Sequence, residues 1–135
     1  MNLKKYSLIL ASKSPRRKEL LEFLGIPFET IPSDIDEIGD ETNPCELAVN
    51  IAKDKGLFVY KKLEGRSDFG ISFFPLVIGC DTLVVLAKKV YGKPKDGPDA
   101  SRMLLELSGR THQVITGVHL GRFDFKQGQY LSKEF

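Results

Sequence analysis

Leu8-Ile9-Leu10-Ala11-Ser12-Lys13-Ser14-Pro15-Arg16-Arg17-Lys18-Glu19-Leu20-Leu21 is the stretch that decides how this chain is read. Tyr6 to Ala11 is mostly apolar and long enough for a buried strand. Ser14 stands where a helix N-cap belongs. Pro15 suits the first helical position, where its missing N–H would have no partner anyway. A helix over Pro15 to Leu24 then carries Leu20, Leu21, Phe23 and Leu24 towards a core, and Gly25 stops it. The start of such a helix offers free N–H groups and partial positive charge, which favour a phosphate. Arg16 and Arg17 add two forked cations at the same place. An ordinary strand–helix unit with solvated basic residues is the competing reading.

The rest of the chain alternates in the same way. Pro27 and Phe28 open a second strand that Pro32 closes, and Ser33 to Asn43 reads as an acidic, turn-rich loop. Pro44 starts a second helix with Leu47, Ala48, Ile51 and Ala52 on one face, continuing to Leu63. Glu64 to Pro75 reads as an exposed insertion. Leu76 to Cys80 is a buried strand. Leu83 to Leu86 and Val90-Tyr91 are strands around a turn at Lys88-Lys89. A helix over Ala100 to Leu107 is followed by a half-buried strand over Gln113 to Leu120. Strands alternating with helices define an α/β layer structure.

Length and composition bound the function classes. A chain of 135 residues is one domain, and 41% hydrophobic with 28% charged residues gives a real core rather than disorder. A net charge of +2 is too small to imply nucleic-acid binding. Cys45 and Cys80 show no metal-ligand spacing, so free thiols in a reducing compartment are expected. The apolar run at Tyr6 to Ala11 is too short for a signal peptide or a membrane span. The expectation is a soluble, cytoplasmic protein without a membrane or nucleic-acid partner.

Further short motifs follow the first in order. They are Ile35-Asp36-Glu37, Ala52-Lys53-Asp54-Lys55, Ile78-Gly79-Cys80-Asp81-Thr82, Gly92-Lys93-Pro94, and Leu107-Ser108-Gly109-Arg110-Thr111-His112 leading into Val114 to Val118. With the Ser-x-Ser-Pro-Arg-Arg segment, this ordered set resembles the Maf family of nucleotide pyrophosphatases. The resemblance implies an inosine-triphosphatase-like fold: a mixed twisted sheet flanked by helices, with the site in a cleft between two lobes. It implies a family domain over residues 1–120 and a divergent or truncated tail over 121–135, since family members continue after the Thr116-Gly117-Val118 strand. A truncated product, a splice form and an incomplete piece are all open at this level. If the chain stops there, the Gln113–Leu120 strand is expected to be a sheet edge, prone to self-association.

The resemblance also implies chemistry. Cleavage of a nucleoside triphosphate between its α- and β-phosphates needs cations on the phosphates, a divalent metal and a carboxylate. Ser12, Ser14, Arg16 and Arg17 would form the phosphate cradle. Lys55 and Lys93 would be further phosphate ligands on the strength of the resemblance. Asp81 closes one apolar run and precedes another, and a buried carboxylate is costly unless paired or metal-bound. It is the implied general base or metal ligand, with capping of a turn at Thr82 as the alternative. Glu37 is the implied second carboxylate, with Asp36 as a substitute and a solvated acidic loop as the plain reading. Asp81 and Glu37 would hold Mg²⁺ or Mn²⁺. His112 and His119 make a poor metal pair.

The Arg16–Arg17 pair after Pro15, and Thr82 after Asp81, resemble the subgroup acting on dTTP, UTP and modified pyrimidine nucleotides. The implied function is hydrolysis of a nucleoside triphosphate to the monophosphate and pyrophosphate, with a homodimer as a possible assembly. A catalytically impaired, nucleotide-binding regulatory protein is the alternative.

Overall fold

Ser7–Ala11 forms strand β1, and Pro15–Glu22 forms helix α1 directly after it. The structure is a computed structural model and describes residues 5–35 and 43–135; Asp36 and Glu37 fall outside the described residues. The chain continues through β2 (Phe28–Thr30), α2 (Pro44–Glu64), β3 (Pro75–Leu86), β4 (Lys89–Tyr91), α3 (Gly97–Leu107), β5 (Gln113–Asp124) and β6 (Gln129–Glu134). Among the described residues these six strands make one mixed sheet in the order β2-β1-β3-β5-β6, with β4 paired to the far end of β3. β1 runs parallel to β2 and β3, while β5 runs antiparallel to β3 and to β6. The expected mixed sheet flanked by helices is therefore the architecture found.

Helix α2 is the backbone of the core. Asn43 caps it by accepting from the Cys45 N–H at 2.9 Å, and Pro44 follows at the first helical position. Ala48, Ile51, Ala52, Lys55, Gly56, Val59, Tyr60 and Leu63 form its buried stripe, spaced as one helical face. One core cluster joins Val59, Tyr60 and Leu63 to Ile9, Ala11 and Val77 of the sheet. A smaller one joins Ala48 to Leu83 and Val85. The helix lies close on the sheet because Gly79 and Gly117 carry no side chain. A Cβ at Gly79 would run into the Ala52 carbonyl and the Gly56 N–H, and one at Gly117 into the Ala48 carbonyl.

Several expectations are corrected. Leu20, Phe23 and Leu24 do not enter a core: they are 67%, 88% and 62% exposed, and α1 buries none of its residues. Ser14 occupies the N-cap position, but its hydroxyl caps nothing; its N–H instead donates to Ser12 Oγ at 3.1 Å. The two strands expected around Asp81 are the single strand β3. The tight turn after it falls at Ala87-Lys88, both with positive φ, as a hairpin following the right-handed sheet twist requires. α3 begins at Gly97 rather than Ala100, capped by Asp96 Oδ1 on the Asp99 N–H at 2.8 Å. The Glu64–Pro75 segment is not wholly exposed, since Phe73 and Pro75 are buried.

The strand expected to end at Leu120 runs on to Asp124, and it is not an edge. β6 covers it, pairing from His119↔Glu134 to Asp124↔Gln129. His119 ties the two strands beneath the sheet and is fully buried, with Nδ1 2.8 Å from Glu134 Oε1 and Nε2 2.8 Å from the Tyr130 hydroxyl. Burial works against the Glu134 charge. Hydrogen bonds from Ser132 and His119 nonetheless hold its carboxyl below the usual range, so it stays an acceptor. His119 Nδ1 then faces a carboxylate acceptor, and its Nε2 shares a hydrogen bond with the Tyr130 hydroxyl.

Candidate active-site cleft

β1 ends at the mouth of a cleft of about 830 Å³, within the size range of small-ligand sites. Its walls are the β1–α1 turn, the loop after β2, the middle of β3, and the segment after β4. Ser12, Ser14, Arg16, Arg17, Lys55, Asp81, Thr82 and Lys93 all line it. Eight residues expected from the sequence to share one site thus meet around one cavity. Glu37 lies outside the described residues, two positions after the cleft-lining Ile35.

The charge balance of the cleft is unequal. Among the described residues five cations line it, Lys13, Arg16, Arg17, Lys55 and Lys93, against the carboxylates Asp34 and Asp81. Asp34 sits at the rim with Lys13 Nζ 2.5 Å from its Oδ1, and the hydrogen bond and charge of Lys13 lower its pKa. Focused positive charge in a cleft attracts a multiply charged anion.

Asp81 and Lys55 form the deep end. Lys55 Nζ donates to Asp81 Oδ1 at 2.7 Å, and the two side chains are 9% and 5% exposed. Asp81 lies in mid-strand, opposite Gly117 of β5, not at a strand end or a turn. The capping alternative is therefore set aside. Its second oxygen, Oδ2, is buried and has no hydrogen-bond partner among the described residues. A buried carboxylate oxygen without a donor costs free energy, and water, a cation or a substrate proton would satisfy it. Mg²⁺ takes one or two carboxylates and completes its shell with phosphate oxygens and water, so this donor fits a divalent cation. Among the described residues no cluster of three His, Cys, Asp or Glu side chains forms a closed protein cage.

Arg16 and Arg17 differ more than their adjacency suggests. Arg16 is exposed at the cleft, whereas Arg17 bridges elements. Its Nη1 donates to Ser12 Oγ at 3.2 Å and to the Cys80 carbonyl at 2.9 Å. Its Nη2 donates to Thr82 Oγ1 at 2.9 Å. Thr82 Oγ1 lies 3.1 Å from Thr116 Oγ1 on β5. Arg17 therefore grips the residues on both sides of Asp81. A guanidinium has five N–H donors, and these bonds engage three of them. Cys80 is half-buried, and burial pushes its thiol pKa up, which keeps it protonated and unreactive. His112 is exposed beyond α3 and takes no part in the cleft.

Two contributors were not read from the sequence. Tyr91 is buried and lines the cleft wall beside Lys93, and its only sequence signal is its place before Gly92-Lys93-Pro94. Thr116 reaches the site only through the β3–β5 register, which sets it opposite Thr82.

The Maf-like protein family matches residues 7–134. The chain belongs to the Maf family. Curated Maf relatives include the dTTP/UTP pyrophosphatase of Thermoanaerobacter sp. (strain X514), 44% identical over 120 residues, which are 88% of this chain and 59% of the relative. That of Ruminiclostridium cellulolyticum is 45% identical over 89% of this chain and 58% of its own length. That of Thermosipho africanus is 48% identical over 82% of this chain and 52% of its own. The chain thus spans a little over half the length of these relatives. Among the described residues no helix is long and apolar enough to cross a membrane.

Proposed function

We propose that this Maf chain takes part in nucleoside triphosphate pyrophosphatase chemistry, hydrolysing the bond between the α- and β-phosphates to yield a monophosphate and pyrophosphate. The observation that carries the reading is the cation-lined cleft with one buried carboxylate whose Oδ2 has no hydrogen-bond partner among the described residues. A triphosphate brings about four negative charges, and the lining cations answer that charge where water is partly excluded.

The roles divide by position. Arg16 at the start of α1 and Lys93 in the segment after β4 hold the phosphates, with the Ser12–Ser14 turn as the cradle. Arg17 adds a cation to the cradle while fixing the strand around Asp81. Lys55 holds Asp81 Oδ1 in place and adds positive charge beside the reacting phosphate. Asp81 Oδ2 is the acceptor at the centre of the chemistry, with Glu37 as the second carboxylate. Mg²⁺ or Mn²⁺, held by Asp81 and Glu37, would neutralise charge on the phosphate oxygens when bound. The Pro15-Arg16-Arg17 order, Thr82 after Asp81, and the names of the relatives support dTTP, UTP or modified pyrimidine nucleotides as substrates. The free cysteines support a reducing, cytoplasmic setting.

A nucleotide panel tests the proposal. Each triphosphate is incubated with the protein, Mg²⁺ or Mn²⁺ and added inorganic pyrophosphatase, and phosphate release is followed. The expected result is release that depends on divalent cation and is fastest with dTTP and UTP. Nucleotide binding with no turnover of any triphosphate would overturn the enzymatic reading in favour of a regulatory one.

A further inference from the structure

Resting on that reading, we infer that Glu106 is a positioning residue that sets Lys93 in the nucleotide cleft by tying the N-terminal side of its loop to α3, whose Asp99 holds the other side. Lys93 stands in Gly92-Lys93-Pro94, a segment between β4 and α3 with no ladder of its own. On its N-terminal side, the Tyr91 hydroxyl donates to Glu106 Oε2 at 2.6 Å, and Lys89 Nζ donates to the same oxygen at 2.7 Å. On its C-terminal side, the Lys95 N–H donates to Asp99 Oδ2 at 3.0 Å. Arg102 closes the circuit within α3, donating from Nη1 to Glu106 Oε1 at 2.5 Å and from Nη2 to Asp99 Oδ1 at 2.6 Å.

These polar contacts carry the fastening of α3. The helix buries none of its residues, and Leu104 and Leu105 face outward, 69% and 76% exposed. Apolar packing therefore contributes little to where α3 sits. Glu106 is the node because both its oxygens are used and its donors come from β4 and from its own helix. The donors Lys89, Tyr91 and Arg102 push its carboxyl down to about 2, so it remains charged at any pH at which the protein would work. Tyr91 is the link to the cleft: its ring is buried in the wall, and Lys93 starts two residues on.

A double-mutant cycle between Glu106→Ala and Lys93→Ala tests the inference, with KM and kcat measured for the best triphosphate of the panel. Glu106→Ala is expected to raise KM roughly three- to tenfold, the size of a coupled polar contact. In the Lys93→Ala background the same substitution should change KM less than about twofold, because the side chain it positions is gone. Glu106→Gln, which keeps an acceptor for Tyr91, should restore part of the loss. Backbone hydrogen exchange on the same variants adds a readout independent of turnover. Glu106→Ala should speed exchange across residues 92–95 and leave β1 and β5 unchanged. Equal KM changes in both backgrounds, or unchanged exchange at 92–95, would overturn the inference. A wild-type chain that turns over no nucleotide would count against the proposed activity, and the exchange measurement would still decide whether Glu106 orders the loop.

Discussion

Asp81→Asn and Asp81→Ala separate what the buried carboxylate does for the fold from what it does in the proposed reaction. Sequence reasoning makes the Asn variant nearly silent for stability, since the swap is isosteric. The structure argues otherwise, because Asp81 Oδ1 is the acceptor for Lys55 Nζ at 2.7 Å and both side chains are buried. Removing one partner of a buried pair costs about 3–5 kcal/mol, which sets the expectation for Asp81→Ala. Asparagine keeps a carbonyl for Lys55 but loses the charge, so its cost should be near that of one charge-assisted hydrogen bond, about 1.5–3 kcal/mol. In a domain of this size each kcal/mol moves Tm by roughly 4 °C. The Asn variant should melt roughly 6–12 °C below wild type and the Ala variant roughly 12–20 °C below. Turnover of the Asn variant should fall ~10²–10⁴-fold at a temperature where it remains folded. Lys55→Met combined with Asp81→Leu should recover much of the lost stability, since apolar replacement of a whole buried pair is often near neutral, and should stay inactive. Calorimetry and the phosphate-release assay on one set of samples provide both readings. An Asn variant melting within about 2 °C of wild type would refute the pair's structural weight. One with ordinary turnover would refute the catalytic assignment.

Other expectations follow from the same geometry. Phe23→Ala should change unfolding free energy by under about 0.5 kcal/mol, because Phe23 is 88% exposed; a loss of about 3–5 kcal/mol in urea titration would mean that it is a core residue after all. Arg16→Ala should weaken triphosphate binding about ten- to a hundredfold while sparing both nucleoside binding and Tm, whereas Arg17→Ala should also lower Tm because it frees Ser12, Cys80 and Thr82. Isothermal titration and melting curves that do not distinguish the two arginines would contradict that division. Burial raises the phenol pKa of Tyr60 and Tyr130 above the ordinary 10.0. The folded state then holds these protons while the unfolded chain loses them, so stability should be complete below pH 10 and decline above it. Stability that is flat up to pH 11 would count against both assignments.

The fold was legible where local chemistry dictates it. Asn43-Pro44 before a long apolar stripe marks α2, and its stripe found the sheet it was expected to find. The end of α1 was legible too: Gly25 has φ of 64°, and its N–H returns to the Glu22 carbonyl at 3.0 Å. The outward turn of Leu20, Phe23 and Leu24 was not. Periodicity shows that a helix has an apolar face, and nothing in the period says whether another element lies across from it. The same limit applies to Leu104 and Leu105 on α3, which is fastened by Glu106 and Asp99 instead. The continuation of β5 past Leu120 was missed for a related reason. Arg122 and Asp124 break the apolar run, yet the strand persists because Leu131 and Gln129 of β6 pair with them.

The candidate site was legible as a set of residue types, while the division of labour within it came from packing. Arg16 and Arg17 are identical in sequence logic, and only the fold shows that one points into open cleft and the other into the joint between β1 and β3. Asp81 shows most clearly why. The apolar run from Leu76 to Cys80 reads as a strand that stops before Asp81. In the fold the strand runs on, and Gly79 shapes what lies against it. With no Cβ there, α2 comes down onto β3 at Ala52 and Gly56, the residues that bracket Lys55. That approach brings Lys55 within 2.7 Å of a carboxylate 26 positions later in the chain. The missing Cβ of Gly79 is therefore what allows the strand to carry a buried, paired charge through its middle. The same close contact leaves the carboxylate's second oxygen buried and without a hydrogen-bond partner among the described residues.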